Sequence, residues 1–205
     1  FETKLSNKLG AKFAVASNSA TSSLHISCMA LGIKEKDIVW TSPNSFVASA
    51  NCALYCGAKI DFVDISLETG LISIEKLKEK LEIAKINNTL PSLLIPVHLT
   101  GGSCNMREIK KLSVQYGFSV LEDASHALGS KYNNHYVGSC EFSDITVFSL
   151  HPVKIITSGE GGISTTNNSS LATKMYQLRT HGIEKDRKNF SSLIDKPWFY
   201  EQQTL

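Results

Sequence analysis

Apolar runs a few residues long alternate with segments of helical period along the whole chain. Phe13-Ala14-Val15-Ala16-Ser17 is the first strand-like run. A small-residue helix follows from about Thr21, carrying Leu24, Ile26, Met29 and Leu31 and ending at Gly32. Ile38-Val39-Trp40 leads through Pro43 to a helix over about 46–55, which Gly57 stops. Residues 59–64 alternate like a strand, a helix is expected over 74–86, and Leu93-Leu94-Ile95-Pro96-Val97 is the next apolar run. A helix over about 106–116, closed by Gly117, precedes a strand over 118–122. Beyond it the period changes. Residues 131–137 form a hairpin pattern around Asn133-Asn134, residues 145–148 and 162–166 are two more strands, and a last helix covers about 171–179. Short strands alternating with helices predict a three-layer α/β/α domain whose mostly parallel sheet is covered on both faces. Ligands of such sheets sit at the carboxyl ends of strands, where loops enter helices.

Composition narrows this only a little. At 205 residues and 42% hydrophobic content, one substantial core is expected, with no repeat, low-complexity segment or linker before the C-terminal tail. Residue 1 is Phe, residues 1–9 resemble the end of a helix (Phe1, Leu5 and Leu9 apolar, Gly10 the stop), and residues 198–205 carry no terminating signal. The chain is therefore expected to be a fragment of a longer protein. A net charge of +2, scattered along the chain, predicts no nucleic-acid footprint. Lys76-Leu77-Lys78-Glu79-Lys80-Leu81-Glu82 is a solvated helix face. No apolar run approaches the roughly 20 residues of a membrane span, and no signal peptide is visible. Five cysteines, an odd number without metal-type pairs, point to a reducing, cytoplasmic setting. Cys52 and Cys56 stand four apart on a helix, but no partner pair lies at ligand spacing. They are expected to be buried small hydrophobes, with no metal site.

The candidate chemistry falls at strand-to-helix junctions. Lys154 stands just past the apolar run Val147-Phe148-Ser149, in a loop closed by Gly159-Glu160-Gly161-Gly162. It is either one of many surface lysines or an amine desolvated for Schiff-base chemistry and proton transfer, with the glycines permitting close backbone approach. Asp123 ends another buried strand and needs a cationic or donor partner, which a protonated pyridine nitrogen would be; a capping or ion-paired aspartate is the alternative. His126 suits a phenolic oxygen or a backbone carbonyl. Ser17-Asn18-Ser19-Ala20-Thr21-Ser22-Ser23 opens a helix, so it is an anion site or an ordinary N-cap, but not a Walker loop. Ser149 is a second phosphate candidate, and Phe46 either stacks on a ring or belongs to the core. Lys154 and Asp123 together suggest covalent binding of pyridoxal phosphate.

In order along the chain, Ala20-Thr21, Phe62-Val63-Asp64-Ile65, Pro96-Val97-His98-Leu99-Thr100-Gly101, Glu122-Asp123-Ala124-Ser125-His126-Ala127, Phe148-Ser149, Lys154 and Gly159-Glu160-Gly161-Gly162 resemble the DegT/StrS family of pyridoxal-phosphate sugar aminotransferases. His151-Pro152-Val153-Lys154, Ser103-Cys104-Asn105-Met106 and Lys196-Pro197-Trp198-Phe199-Tyr200-Glu201 are similar to its branch that makes the pseudaminic acid precursor. Two departures stand out: many members have Gly-Thr where this chain has Ala20-Thr21, and Gln where it has His126.

The resemblance implies a fold type I (aspartate aminotransferase-like) large domain with a seven-stranded sheet over residues 1–190. Residues 191–205 would begin the connection to a small C-terminal domain. It implies Lys154 as the Schiff-base lysine and Asp123 as partner of the pyridine nitrogen. Ala20, Thr21, Ser22 and Ser149 would hold the phosphate, Phe46 would stack on the ring, and His126 would bond its O3′. L-Glutamate would donate the amino group to a UDP-linked 4-keto-6-deoxy-hexosamine by ping-pong kinetics, in a homodimer with a shared site. Two rivals remain: a relative that dehydrates its substrate, against which the retained Lys154 speaks, and a fragment that turns nothing over.

Overall fold

The computed structural model describes residues 1–184, 186–191 and 196–203. Helix α1 (Glu2–Leu9) ends at Gly10, whose φ of 81° only glycine adopts without strain. Strand β1 (Phe13–Ser17) feeds α2 (Ala20–Ala30), then come β2 (Ile38–Thr41), α3 (Ala48–Tyr55), β3 (Lys59–Phe62), α4 (Ile74–Ile86) and β4 (Leu93–Ile95). Helix α5 (Met106–Tyr116) precedes β5 (Ser119–Asp123), and the small hairpin β6 (Lys131–Tyr132) and β7 (His135–Tyr136) turns at Asn133 and Asn134, both at positive φ. Strands β8 (Ile145–Ser149) and β9 (Gly162–Thr166) lead to α6 (Ser169–Leu178). That helix starts two residues earlier than its apolar period suggests, because Asn168 caps the N–H groups of Ser170 and Leu171. Helix α3 starts later than expected, after the Pro43 turn. A short pair, β10 (Ile183–Glu184) with β11 (Glu201–Gln202), was not foreseen.

Seven strands form one sheet in the order β1-β9-β8-β5-β4-β2-β3. All neighbours are parallel except those of β9, which runs against both β8 and β1. The reason is the connection: residues 150–161 return from β8 to β9 without a helix, and only a crossover makes neighbours parallel. Strand β3 is a solvated edge, and Lys80 Nζ caps its Phe62 carbonyl at 2.7 Å. Leu24, Cys28 and Met175 pack on one sheet face with Val15, Leu93, Ile95, Leu121, Ile145 and Val147. Leu77, Leu81, Ile109 and Leu112 pack on the other with Trp40, Leu94 and Val120.

Strand alternation carries this division into the site. Along β5, Leu121 and Asp123 face α2 and α3, while Val120 and Glu122 face the layer of α4 and α5. Glu122 is buried and accepts hydrogen bonds from His98 Nε2 (2.6 Å), Thr146 Oγ1 (2.8 Å) and the Ser143 hydroxyl. Burial alone would raise its pKa. The bonds from His98, Ser143 and Thr146 outweigh burial and hold the carboxyl below its ordinary value. Glu122→Ala is expected to cost about 3–5 kcal/mol in urea unfolding at neutral pH, since three buried donors lose their acceptor. Because the folded pKa is depressed, this stabilisation is present above the ordinary carboxyl pKa of 4.5 and is lost as pH falls through the lower folded value. The margin of the native protein over Glu122→Gln should therefore shrink on acidification. A margin that does not change with pH would refute the charged carboxylate.

Candidate active site

The carboxyl ends of β1, β4, β5 and β8 open onto a cleft of about 230 Å³. Ala20, Thr21, Phe46, Asp123, His126, Ser149 and Lys154 all line it. Ser22 does not. Its N–H donates to the Ser19 hydroxyl at 3.1 Å, an ordinary N-cap. The N–H groups of Ala20 and Thr21 have no protein acceptor among the described residues and remain for an anion at the helix start. That helix start lies directly over Gly162, where any Cβ would collide with the Ser19 carbonyl. Thus the glycine cluster does permit close approach, but for the phosphate-type turn rather than for Lys154.

Asp123 is buried at the end of β5, and hydroxyl and amide donors meet its carboxylate. Ser49 Oγ donates to Oδ2 at 2.5 Å; Ser125 donates to Oδ1 through its hydroxyl at 2.6 Å and its N–H at 3.1 Å. No cation of the described residues pairs with it. A buried carboxylate left without a counter-charge at the floor of a cleft is a receptor for a cationic ligand atom. Ser125 was not singled out in the sequence, although it stands two residues after an Asp, the spacing of an Asx turn that could have marked it. Ser49 was not, since nothing in a run of small helical residues says which hydroxyl faces β5.

Lys154 alone among residues 151–160 is not exposed. The loop is fastened at its base by Leu150 N–H to the Gly161 carbonyl (2.8 Å) and Ser158 N–H to the Leu150 carbonyl (3.1 Å). Lys154 Nζ lies 2.8 Å from His126 Nε2. Burial is the main reason that the His126 pKa lies below its ordinary value; the Lys154 charge adds to this and Asp123 opposes it. Among the described residues no backbone carbonyl bonds the His126 ring, which meets Lys154 and the Thr100 N–H. Phe46 is not a core side chain. It is 70% exposed at the cleft rim, beside Ser45 and in the approach to α3. His151 and Glu160, at 3.8 Å from each other, stand on the same rim. Cys28, Cys52, Cys104 and Cys140 are buried free thiols and Cys56 is half-buried. Among the described residues no group of three ligands could hold a metal, and no helix is long and apolar enough to cross a membrane.

These residues fit pyridoxal phosphate. An amine and a buried carboxylate share one cleft, and paired free N–H groups with the Ser149 hydroxyl suit its phosphate. Comparison with known proteins agrees with that geometry. The chain is 44% identical over 200 residues to the UDP-4-amino-4,6-dideoxy-N-acetyl-beta-L-altrosamine transaminase of Campylobacter jejuni subsp. jejuni, covering 98% of this chain and 51% of that protein. Helicobacter pylori PseC, an aminotransferase of pseudaminic acid biosynthesis, superposes on it with a TM-score of 0.84 at 33% identity, over 100% of this chain and 51% of that one. Bacillus subtilis NtdA, solved with bound PMP, gives 0.80 at 31% identity over 92% and 41%. The chain thus spans about half the length of the relatives it matches. The family model for DegT/DnrJ/EryC1/StrS aminotransferases matches residues 1–195, and the chain belongs to that family.

Proposed function

We propose that the protein is a pyridoxal-phosphate aminotransferase that moves the amino group of L-glutamate to C4 of a UDP-linked 4-keto-6-deoxy-N-acetylhexosamine, as in synthesis of the pseudaminic acid precursor. The observation that carries the reading is the convergence of Lys154, His126 and the uncompensated Asp123 carboxylate on one cleft at the start of α2. The similarity to an altrosamine transaminase supports the sugar and the nucleotide. Residues 1–190 then constitute the cofactor-binding large domain, and residues 191–205 the start of a connection to a small domain; 192–195 and 204–205 lie outside the described residues. The working form is a cytoplasmic homodimer.

When bound, the cofactor supplies an electron sink for the carbanion formed at the substrate carbon. The protein supplies the rest. Lys154 Nζ would hold the cofactor covalently and, once displaced by the donor's amino group, would carry the proton to and from that carbon. Asp123, held by Ser49 and Ser125, would pair with a ring nitrogen and keep it protonated. Ala20 and Thr21 N–H groups with Ser149 Oγ would hold the phosphate, Phe46 would stack on the ring from the rim, and His126 would bond the ring oxygen.

Purified protein incubated with L-glutamate and either a UDP- or a dTDP-linked 4-keto-6-deoxy sugar tests this. 2-Oxoglutarate should form with the UDP-linked N-acetylated acceptor at a kcat/KM at least about tenfold above that for the dTDP sugar, the discrimination expected of one or two polar contacts. Preference for the dTDP sugar would move the protein to a sister branch. Release of a dehydrated sugar without 2-oxoglutarate would overturn amination.

A further inference from the structure

Three of the five cysteines stand together, and none of them lines the cleft. Ser49, Cys52 and its C-cap Cys56 follow one another along α3 at i, i+3 and i+7, so they share one face of that helix. Helix α2 packs against α3, and Cys28, Cys52 and Cys56 meet between the two in one apolar cluster. The Cys28 thiol is within hydrogen-bonding reach of the thiols of both Cys52 and Cys56. Cys52 Sγ also donates to the Ser49 carbonyl at 3.4 Å. Cys28 and Cys52 are fully buried, whereas Cys56 is half-buried and open to a small solute.

The contacts make the thiols unequal. Hydrogen bonds with Cys52 and Cys56, together with burial, hold the Cys28 pKa well above its ordinary value. The hydrogen bond from Cys28 brings the Cys56 pKa below its ordinary value, against the opposing effect of burial. Because the thiolate is the nucleophile, the accessible thiol is also the more reactive one. Geometry selects its partner. Cβ atoms four residues apart on a helix stand about 5–6 Å from each other, beyond the roughly 3.5–4.5 Å of a disulfide, so Cys52 and Cys56 do not pair. Cys28 reaches across from the other helix and is the remaining choice.

We propose that Cys56 and Cys28 form a peroxide-sensitive switch, in which hydrogen peroxide oxidises Cys56 and Cys28 then closes a disulfide that ties α3 to α2. The Cys56 sulfur attacks one peroxide oxygen, the O–O bond breaks, and a sulfenic acid and one water form. The Cys28 sulfur displaces the hydroxyl from the Cys56 sulfur, and its proton leaves with that hydroxyl as a second water. Two thiols thus lose two electrons, and one peroxide gains them. The S–S bond of about 2.05 Å is far shorter than a contact between two thiols, so closing it draws the shared face of α3 toward α2. A close-packed interior passes such a shift on to its neighbours. Ser49 lies on that face and bonds Asp123 at 2.5 Å, so its hydroxyl carries the change to the cleft. This consequence rests on the function proposed above; the disulfide does not.

The test treats purified protein with hydrogen peroxide and maps its unreduced peptides by mass. A Cys28–Cys56 cross-link should be the first product, and dithiothreitol should reverse it. In Cys28→Ala the sulfenic acid has no partner, so dimedone should label Cys56 at least about tenfold faster than any other cysteine. Cys56→Ser, at a half-buried site, should give no cross-link and serves if the buried Cys28 variant does not fold. No cross-link in the native protein, or a first cross-link elsewhere, would overturn the proposal. Titration with pyridoxal phosphate, followed by absorbance, reads the consequence. Affinity should fall about tenfold on oxidation of the native protein, as for one weakened hydrogen bond to a charged group, and stay constant in Cys56→Ser. Unchanged affinity in the cross-linked protein would defeat the switch. Reduced native protein that binds no cofactor would defeat the functional reading instead, and the cross-link alone then decides the proposal.

Discussion

Lys154→Ala is expected to end covalent attachment of pyridoxal phosphate and to lower amino transfer by about 10⁴-fold, the upper range of what one positioned acid–base group contributes. The reasoning starts from placement. In a loop whose other residues from 151 to 160 are exposed, this one side chain turns inward and meets His126 at 2.8 Å. Arginine would keep the charge but not the nucleophilic amine, so Lys154→Arg should be as inactive as the alanine variant. Neither change should unfold the protein, since Lys154 is half-exposed and its side chain belongs to no hydrophobic cluster. Borohydride reduction followed by peptide mass mapping reads the outcome directly. A reducible adduct that persists in Lys154→Ala would show that another amine holds the cofactor.

The second large effect is expected at Asp123. Asparagine preserves its volume; its Oδ1 can still accept from Ser125 while its Nδ2 donates to the Ser49 hydroxyl, so the local turn should survive. What it removes is the negative charge that, in the proposed function, would face a cationic ring nitrogen. Breaking a buried charge pair by removing one partner costs about 3–5 kcal/mol, so amino transfer should fall roughly 10²- to 10⁴-fold. Reduction onto Lys154 should persist, because the amine is untouched. That split, attachment retained with turnover lost, distinguishes an electronic role from a structural one. Full activity in Asp123→Asn would mean that the carboxylate merely organises residues 123–125.

Much of this site was legible in the sequence because each element announces itself locally. The glycine stops at Gly10 and Gly117, the Asn133-Asn134 turn and the two long helices α4 and α5 depend on neighbours in the chain, and the period of their side chains predicts them. The positions of Lys154 and Asp123 after apolar runs follow from the same logic, since a strand must end where its apolar run ends. Ser22 was misjudged because sequence shows that a helix begins there but not which N–H the cap consumes; Ser19 takes that one. Phe46 by itself reads as a core phenylalanine, and its exposure at the rim removes that possibility.

Other features depend on residues distant in sequence. Ser49 meets Asp123 across 74 positions, and Lys154 meets His126 across 28. Gly162 is required by the Ser19 carbonyl above it, and not by its own loop. Thr100 lies in a segment that carries the family likeness, but its left-handed backbone (φ 55°) is imposed by His98, Ser130 and the His126 segment around it. The sequence by itself determined the alternation of elements, their ends, the one-sided placement of polar residues at strand ends, and the likeness to a family. These are written in short-range sterics and in hydrophobic period. Only the tertiary structure decided that the Ser49 hydroxyl meets Asp123, which amides of α2 stay free, and that Lys154 turns inward to His126. Those choices are made by single hydrogen bonds of fixed direction between segments that meet only when the sheet is assembled.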